Sequence, residues 1–520
     1  MRAPGPRHVR ARARIEYGAA GLGSAYSRRV LHGAGNLPLN AKSAMRVVEH
    51  WGVHQNVRHT PPMADRCFHR FAGFFFLFPI GTLPKEDFML NVRASSPRLT
   101  CAGVAHGVRY ASCAFALLGL ILGGSASAAP AAQAARRWIA TWAASPEAYL
   151  AGPYEPKPHL AGRTVRERMR VTFGGDALRV RISNEFGKTA LIVGRVTIGV
   201  PTGPGSVAKG SLKTLTFSGQ KSIVVPAGTP VLSDPVDIHV PPGSDVSVSI
   251  YLPQRKHLPL TLHALCLRTA AISQPGNFTN KLRLPRATYT DSCVYVTELL
   301  VPRKPGQALI VAFGDSITDG FGSTVNGLST WPDDLERRLV AAGLGSKLAV
   351  VNEGISGNRL LHAFIGVNAQ ARFGSDVLSI PGARYVILLE GINDIGFPGV
   401  DFAPPSAMPT AGDIIAAYRQ LIARAHVHGL EVFGGTLTPF KGTVAPYYTS
   451  AKESIRERVN HWIRTSGAFD GVIDFDVALR DPKHPHRYLP RYSSPDHLHP
   501  GDAGYRKMAD TVNLTMFHNY

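Results

Sequence analysis

Cysteine is scarce in this sequence, and long apolar runs are missing from it. The 520 residues include five cysteines, and no two of them have the C-x-x-C spacing of a thiolate zinc site. No apolar run reaches the roughly 18 residues that a membrane-spanning helix needs, which excludes a multispanning protein. A G-X-Y period is also missing, which excludes a collagen. With 44% apolar residues the chain can bury a globular core, and its length fits two or three domains.

Acidic residues are too few to balance the basic ones, so the net charge is +21. Residues 1–128 carry +11 of this excess, and the other 392 residues carry +10. A basic excess can serve nucleic-acid binding, but here the basic residues are scattered and form no long Lys/Arg run. We therefore expect no nucleic-acid partner.

Residues 109–128 have the pattern of a secretory signal peptide. Arg109 precedes an apolar stretch at 111–122, and small residues follow up to the Ala-Ser-Ala at 126–128. A short buried helix is the alternative interpretation. We predict a signal peptide at 109–128, a secreted or periplasmic protein, and a non-native or disordered extension at 1–108, with translation starting near Met89. Only Cys266 and Cys293 follow the signal, and they either pair or stay as buried thiols.

Apolar and polar residues alternate with a period of two in much of the segment 136–300, which predicts a β-sandwich accessory domain. Within it, the alternating stretches at 169–173 and 178–182, separated by Gly174-Gly175-Asp176, predict a hairpin. A short linker rich in proline and basic residues follows at 301–306. Membrane insertion is not expected of such a domain.

From residue 305 to 520 the pattern changes to buried strands that alternate with amphipathic helices. Apolar runs lie at 308–313, 348–351, 385–389, 432–437 and 472–475, and a capping box at 450–453 predicts the start of one helix. The alternation predicts a three-layer α/β domain of the flavodoxin-like kind, with a parallel sheet covered by helices on both faces. Its site is expected at the carboxyl ends of the strands.

Four short segments that follow predicted strands carry residues capable of chemistry. Ser316 stands in a Gly-Asp-Ser turn, Gly357 in Ile-Ser-Gly-Asn, Asn393 in Gly-Ile-Asn-Asp, and Asp496 three residues before His499. Each segment alone has a plain structural interpretation, such as an N-cap serine or a surface turn. Together they place a hydroxyl, a base with a carboxylate to orient it, and N–H donors at one edge of the sheet.

In this order and spacing the four segments resemble the sequence blocks of the SGNH hydrolases, also called GDSL esterases and lipases. The resemblance covers about residues 305–520, and no G-x-S-x-G elbow is present. It implies a catalytic triad of Ser316, Asp496 and His499. It also implies an oxyanion hole formed by the backbone N–H groups of Ser316 and Gly357 with the side chain of Asn393. No metal or cofactor is implied.

The stretches at 137–146 and 434–439 are similar to those of a secreted, acetylxylan-esterase-like branch of that family. We therefore expect a secreted serine esterase that hydrolyses O-acyl esters, above all acetyl esters, on small molecules or on polysaccharide. The alternatives are a broad-specificity lipase or arylesterase, and a non-catalytic carbohydrate-binding protein. Glu353 departs from the family pattern and is expected to add a carboxylate beside the cleft. The oligomeric state and the acyl length have no signature in the sequence.

Residues near the four segments have weaker interpretations. His497 is an alternative base in the same turn as His499. Asp315, Arg359 and Asp394 are expected to brace loops. Three further sets of residues have alternatives that the sequence leaves open: Asp474 and Asp476 (support of the site or a solvated turn), His484 and His486 (a metal site, disfavoured because no acidic or cysteine partner is evident), and Trp331 with Phe397 and Pro398 (cleft lining or core).

Overall fold

The computed structural model describes residues 137–150, 158–254, 260–400 and 402–518. The predicted signal peptide at 109–128 and the predicted extension at 1–108 lie outside these residues. None of the helices in the described part combines the length and the apolar character that a crossing of the bilayer demands.

The front part of the chain is built from short antiparallel strands. Strands β1 to β18 are, in order, Trp138–Ala143, Glu147–Ala148, Arg163–Arg170, Gly175–Ser183, Leu191–Val193, Arg195–Gly199, Pro201–Gly203, Ser206–Val207, Lys213–Thr214, Ile223–Val225, Pro230–Leu232, Val236–Val240, Asp245–Tyr251, Thr261–His263, Ala270–Pro275, Thr288–Thr290, Cys293–Val294 and Val296–Pro302.

Two antiparallel sheets dominate this part. One has the order β1-β18-β4-β11 with β12 also paired to β4, and the other has the order β16-β15-β3-β13-β6-β9. The inward side chains of both sheets, among them Val165, Met169, Val180 and Val248, belong to one buried cluster. Two antiparallel sheets with a shared apolar core have the arrangement of a β-sandwich.

The hairpin predicted over residues 169–182 is wrong. Met169 on β3 pairs with Val246, whereas Val180 on β4 pairs with Leu299, so the two strands belong to different sheets. Alternation shows that one face of a strand is buried, but two sheets that face a common core produce the same alternation in both. The chain crosses between the sheets at Gly174, where a Cβ would lie only 2.5 Å from the Val240 carbonyl oxygen.

The C-terminal part alternates strands and helices. Strands β19 to β25 are Ala308–Gly314, Leu348–Gly354, Ala383–Leu389, Glu431–Gly435, Gly471–Ile473, Arg480–Asp481 and His484–Tyr488. Helices α1 to α8 are Ser316–Asp319, Trp331–Ala341, Ala369–Phe373, Ile392–Gly396, Ala411–Val427, Ser450–Thr465, Phe475–Leu479 and Asp502–Thr511. A π-helical turn at Gly374–Leu378 continues α3, and 3-10 turns occupy Pro405–Ala407, Pro490–Tyr492 and Leu514–Met516.

Strands β19 to β23 form a parallel sheet in the order β20-β19-β21-β22-β23. This is the doubly wound order 2-1-3-4-5, whose switch point lies at β19. All seven residues of β19 are buried, so both faces of the sheet are covered. The buried strands predicted near 308–313, 348–351, 385–389 and 432–437 are therefore confirmed.

Two predicted boundaries in this part are wrong. The last strand ends at Ile473, and Phe475 begins α7 with the Asp474 side chain as its N-cap. The N-cap of α6 is Thr449, whose side chain accepts the Lys452 N–H, so the helix begins one residue earlier than the predicted capping box implies.

The sheet of β1 and β18 packs directly on the α/β part. Ile139 and Val301 belong to the same buried cluster as the parallel strands. The Ala140 N–H donates to the Pro381 carbonyl at 2.9 Å, and a Cβ on Gly382 would lie 2.4 Å from Ile139. Trp331 is fully buried in this cluster, which decides its role as core rather than cleft lining. A disulfide joins Cys266 to Cys293, with 5.5 Å between their Cα atoms.

Candidate active site

Ser316 lies where the central strand ends. β19 ends at Gly314, and Ser316 is the first residue of α1, whose N-cap Asp315 accepts the Ile317 N–H. The neighbouring strand leaves no room for a side chain at Gly314, because a Cβ there would lie 2.1 Å from the Leu389 carbonyl oxygen. The glycine before Asp315 therefore lets the serine turn pack into the switch point of the sheet.

A continuous hydrogen-bonded chain joins Ser316 to His499 and Asp496. Ser316 Oγ lies 2.8 Å from His499 Nε2, and His499 Nδ1 lies 2.6 Å from Asp496 Oδ2. His499 and Ser316 are buried, and the Phe321 ring packs on the imidazole with 4.4 Å between centroids. The structure thus brings together the three residues that the sequence predicts as a triad.

Asp496 is held as a carboxylate. Its Oδ1 accepts the Ser494 hydroxyl at 2.6 Å and the backbone N–H groups of Leu498 and His499. Burial raises the pKa of Asp496, but the hydrogen bonds from His499 and Ser494 outweigh it and hold that pKa well below its usual range. The carboxylate therefore fixes the imidazole with the Nδ1 proton toward Asp496 and leaves Nε2 free to accept the Ser316 proton.

His497, the alternative base, is exposed and points elsewhere. It has a positive φ of 59°, and its ring packs against Gly442, where a Cβ would lie 2.9 Å from it. His499, and not His497, therefore contacts Ser316.

Gly357 and Asn393 follow the two strands that flank β19. Gly314 pairs with Gly354 on β20 and with Leu389 on β21, so the loops after all three strands meet at one sheet edge. Gly357 has a φ of +79°, and a Cβ on it would lie 2.7 Å from Ile365, so both the backbone and the space require glycine.

The Asn393 carboxamide is held at both ends. Its Nδ2 donates to the Asn358 carbonyl at 2.9 Å, and its Oδ1 accepts the Tyr447 hydroxyl at 2.8 Å. An amide nitrogen carries two N–H groups, and the contact with Asn358 uses one. Within the described residues, no protein acceptor receives the backbone N–H of Ser316 or Gly357. The arrangement leaves N–H groups available to a developing oxyanion.

A buried ionic cluster that the sequence analysis missed lies behind these loops. Arg372 is 4% exposed and donates to the Gly314 and Glu353 carbonyls at 2.8 Å, to Asn358 Oδ1 at 2.9 Å and to Asp376 at 3.1 Å. One guanidinium thereby ties the ends of β19 and β20 to the loop that carries Gly357 and Asn358, here called the oxyanion loop. The sequence gives little signal for this role, because Arg372 stands in the short helix Ala-Gln-Ala-Arg-Phe without a recognisable motif around it.

Several carboxyl groups surround this guanidinium. Burial raises the pKa of Glu390 well above its usual value, and the charge of Asp315 adds to the effect. Burial likewise raises the pKa of Asp315 to about 7, against the lowering effect of the Ile317 N–H. Glu390 follows β21 directly, so an acid placed right after a buried strand was the available signal for it.

Glu353 does not line the cleft, contrary to the expectation. It is 2% exposed, and its carboxyl accepts the Ser145 hydroxyl from the front domain at 2.6 Å. β20 is buried on both faces, so a side chain in this strand points into the junction rather than to solvent. Asp394 does brace a loop, since it accepts the Leu360 and Leu361 N–H groups at 2.6 and 2.9 Å.

The remaining charged candidates belong to ion pairs away from the triad. Asp474 and Asp476 both accept from Arg464, at 2.7 and 2.6 Å. His486 does have acidic partners, contrary to the expectation, because its ring nitrogen and one oxygen each of Glu453 and Glu457 lie within 4.8 Å of one another. Arg456 already donates to the same Glu453 oxygen, at 2.5 Å. This cation competes with any metal for the carboxylate.

The fold and this site define a class of protein. Residues 312–507 match the model of the GDSL-like lipase/acylhydrolase family, and this segment contains Ser316, Gly357, Asn393, Asp496 and His499. The chain is a carboxylic ester hydrolase that contains a segment similar to the GDSL-like lipases and acylhydrolases. The alternative of a non-catalytic carbohydrate-binding protein is left without support.

Several solved structures are similar to part of this chain. The acetylxylan esterase Axe2 from Geobacillus stearothermophilus is 20% identical over 41% of this chain and 94% of its own, with a TM-score of 0.32. LAE5, an alpha/beta hydrolase enzyme from the metagenome of Lake Arreo, is 21% identical over 39% and 92%, with a TM-score of 0.31. The inhibitor-bound aryl esterase of M. smegmatis is 16% identical over 39% and 94%, with a TM-score of 0.31. No curated protein matches the chain.

Proposed function

We propose that this protein is an exported serine esterase of the acetylxylan-esterase-like branch, which releases acetyl groups from polysaccharide. The observation that carries the proposed mechanism is the chain from Ser316 Oγ through His499 to Asp496, with distances of 2.8 and 2.6 Å. A serine hydroxyl is a weak nucleophile near neutral pH, and a base within hydrogen-bond distance activates it.

In the first half of the reaction, Ser316 Oγ forms a bond to the ester carbonyl carbon while its proton moves to His499 Nε2. The carbonyl oxygen becomes an oxyanion, which the N–H groups of Ser316, Gly357 and Asn393 stabilise by roughly 3 kcal/mol each. Asp496 stabilises the imidazolium that forms. When the oxyanion collapses, the bond to the alcohol oxygen breaks and His499 gives that oxygen the proton.

In the second half, water replaces the alcohol. His499 takes a proton from the water molecule while the water oxygen attacks the acyl carbon. The oxyanion then forms again at the same N–H donors. Collapse then breaks the bond to Ser316 Oγ, which recovers its proton from His499, and acetate leaves. Each step uses only side chains and backbone groups of this chain.

Two exposed phenylalanines support a sugar as the alcohol portion. Phe364 and Phe402 are 52% and 42% exposed and stack with 4.9 Å between their centroids. The loop of Phe364 is tied to the oxyanion loop, because Asn358 donates to the Ile365 carbonyl at 3.0 Å. Apolar surface that two stacked aromatic rings leave exposed to water often marks a binding site. A flat ring can pack on the apolar face of a pyranose.

The second pair of contacts links Phe402 to the same site. Its ring meets Phe397 edge-on at 4.9 Å, and Phe397 meets Tyr447, the donor to Asn393, at 5.6 Å.

Export is supported by the signal-like pattern at 109–128 and by the disulfide of Cys266 and Cys293, since such bonds persist in oxidising compartments.

The test of the chemistry is hydrolysis of p-nitrophenyl acetate by wild type, Ser316→Ala and the control Ser346→Ala. Ser346 is an exposed serine of the same domain. We expect kcat to fall at least about 10³-fold for Ser316→Ala and to stay unchanged for the control. Equal rates for wild type and Ser316→Ala would remove the serine-esterase mechanism.

The test of the substrate is acetate release from acetylated xylan, compared with hydrolysis of p-nitrophenyl butyrate and of a long-chain ester. Phe364→Ala should raise KM for the polymer severalfold and leave the hydrolysis of p-nitrophenyl acetate unaffected. The control is Tyr289→Ala, at an exposed tyrosine of the front domain, which should match wild type on both substrates. A preference for the longer esters would favour the broad-specificity lipase or arylesterase instead.

A further inference from the structure

A histidine of the front domain reaches into the α/β part beside the site. His263 ends β14, is 7% exposed, and places its Nε2 3.1 Å from Asp319 Oδ1. Its Nδ1 lies 3.0 Å from the Ser145 carbonyl oxygen. The imidazole thus bridges the segment between β1 and β2 and the last residue of α1, the helix that Ser316 begins.

Both ring nitrogens of His263 face oxygen acceptors. A neutral imidazole has one N–H, so it would leave one of the two buried contacts without a donor, whereas an imidazolium supplies both. Burial lowers the pKa of His263, but the charge and hydrogen bond of Asp319, the charge of Glu147 and the Ser145 carbonyl outweigh it and raise the pKa to about 9.

Asp319 connects this cation to the oxyanion loop. While Oδ1 faces His263, Oδ2 accepts the backbone N–H of Ser356 at 2.9 Å and its hydroxyl at 2.6 Å. Ser356 directly precedes Gly357, the proposed oxyanion donor. The packing is tight, because a Cβ on Gly354 would lie 2.2 Å from the Asp319 nitrogen. A shift of the carboxylate is therefore passed to the turn at 356–357.

We propose that His263 is a positioning residue of the esterase site: as a cation supplied by the front domain it holds the Asp319 carboxylate, and Asp319 holds the turn of Ser356 and Gly357. This role rests on the proposed function, because it acts through the oxyanion donor. It also assigns the front domain a task, which is to complete the catalytic domain.

Other charged groups face His263 from the elements around it. Glu147 on β2 is 5% exposed and accepts the Ala264 N–H at 2.8 Å, and its charge favours the imidazolium. Across Ser145 lies the ionic cluster described above, where Arg372 donates to the Ser145 hydroxyl at 3.0 Å and the Glu353 carboxyl accepts from it. Burial raises the pKa of Glu353 well above its usual value, which lessens the negative charge on that side.

The experiment compares wild type, His263→Gln and a matched control, His239→Gln. His239 forms a pair with Asp176 at 2.6 Å in the same part of the chain, and both side chains are mostly exposed. Because an oxyanion donor acts in the transition state, His263→Gln should lower kcat about 10- to 100-fold and change KM by less than about twofold. His239→Gln should match wild type.

The pH profile separates positioning from plain stability. The kcat of wild type should fall as pH rises through about 9, where His263 loses its proton, and this limb should be missing in His263→Gln. The ¹⁵N resonances of His263 should report a doubly protonated ring at pH 7. A folded His263→Gln enzyme with wild-type kcat and the same alkaline limb, or a neutral His263 at pH 7, would overturn the proposal.

A second variant covers the case in which His263→Gln does not fold. Asp319→Asn keeps the shape and an acceptor for Ser356 but removes the charge, and it should lower kcat about tenfold without the alkaline limb. Wild-type kcat in Asp319→Asn overturns the proposal. Should Ser316→Ala prove as active as wild type, the proposed function fails by that result alone, while the ¹⁵N measurement still decides the charge of His263.

Discussion

Replacing Tyr447 by phenylalanine tests the oxyanion hole with the smallest change that the structure offers. The hydroxyl of Tyr447 donates to Asn393 Oδ1 at 2.8 Å, and burial raises the pKa of Tyr447 well above its usual value, so it remains a donor at every ordinary pH. Its ring packs edge-on against Phe397 and Phe440, with centroids 5.6 and 6.1 Å away. Phenylalanine keeps this packing and removes only the hydroxyl.

The size of the effect follows from what is lost. One neutral hydrogen bond contributes about 1 kcal/mol, which corresponds to roughly a fivefold change in rate if the whole loss falls on the transition state. Complete loss of an oxyanion donor costs about 10²- to 10³-fold in kcat. We therefore expect Tyr447→Phe to lower kcat about fivefold and Asn393→Ala at least about 100-fold, both with little change in KM.

The assay is steady-state hydrolysis of p-nitrophenyl acetate, with thermal unfolding to show that each variant is folded. Tyr448→Phe is the matched control, because Tyr448 packs on Phe440 at 5.0 Å and makes no contact with Asn393. A folded Tyr447→Phe enzyme with unchanged kcat would refute the view that this hydroxyl orients the carboxamide. A change in KM alone would refute the assignment of Asn393 to the transition state.

Three further predictions concern the triad, the alkaline side of stability and the disulfide. Asp496→Asn should lower kcat by roughly 10⁴-fold with KM little changed, because the amide favours the wrong tautomer of His499. The pKa of His263 is raised from 6.5 to about 9, so its stabilisation of about 3 kcal/mol should be complete below pH 6.5 and lost as pH rises to about 9; urea unfolding of wild type and His263→Gln checks this. Replacing Cys266 and Cys293, 27 residues apart, by alanine should cost about 3 to 4 kcal/mol in thermal unfolding, and an unchanged melting temperature would contradict it.

Much of the site was predictable because its residues follow strands whose apolar runs are local. In a parallel doubly wound sheet the carboxyl ends of neighbouring strands must meet at one edge. Ser316, Gly357 and Asn393 each come two to four residues after such a strand end, so strand recognition and the fold rule together predict that they converge. Asp496 and His499 lie in a loop, and there only the resemblance to a family motif indicated their place.

The partners of the buried charges were not predictable in this way. Ser145 and Glu353 are 208 residues apart and meet across the junction of the two parts of the chain. Glu353 looks like any polar residue near a strand end, and its burial depends on how the β1 sheet packs on β20. The wrong hairpin has the same origin, since alternation identifies a buried face but not the strand that covers it.

The amino-acid sequence by itself predicted the α/β class of the C-terminal part and the candidate reacting groups, because apolar periodicity and short motifs depend on neighbours along the chain. Only the tertiary structure decided which strands share a sheet, and that Arg372 and His263 support the loops of the site. The physical reason is that a buried charge is tolerated only where it has a partner, and here distant chain segments supply that partner. The position of such a partner follows no fixed spacing in the sequence.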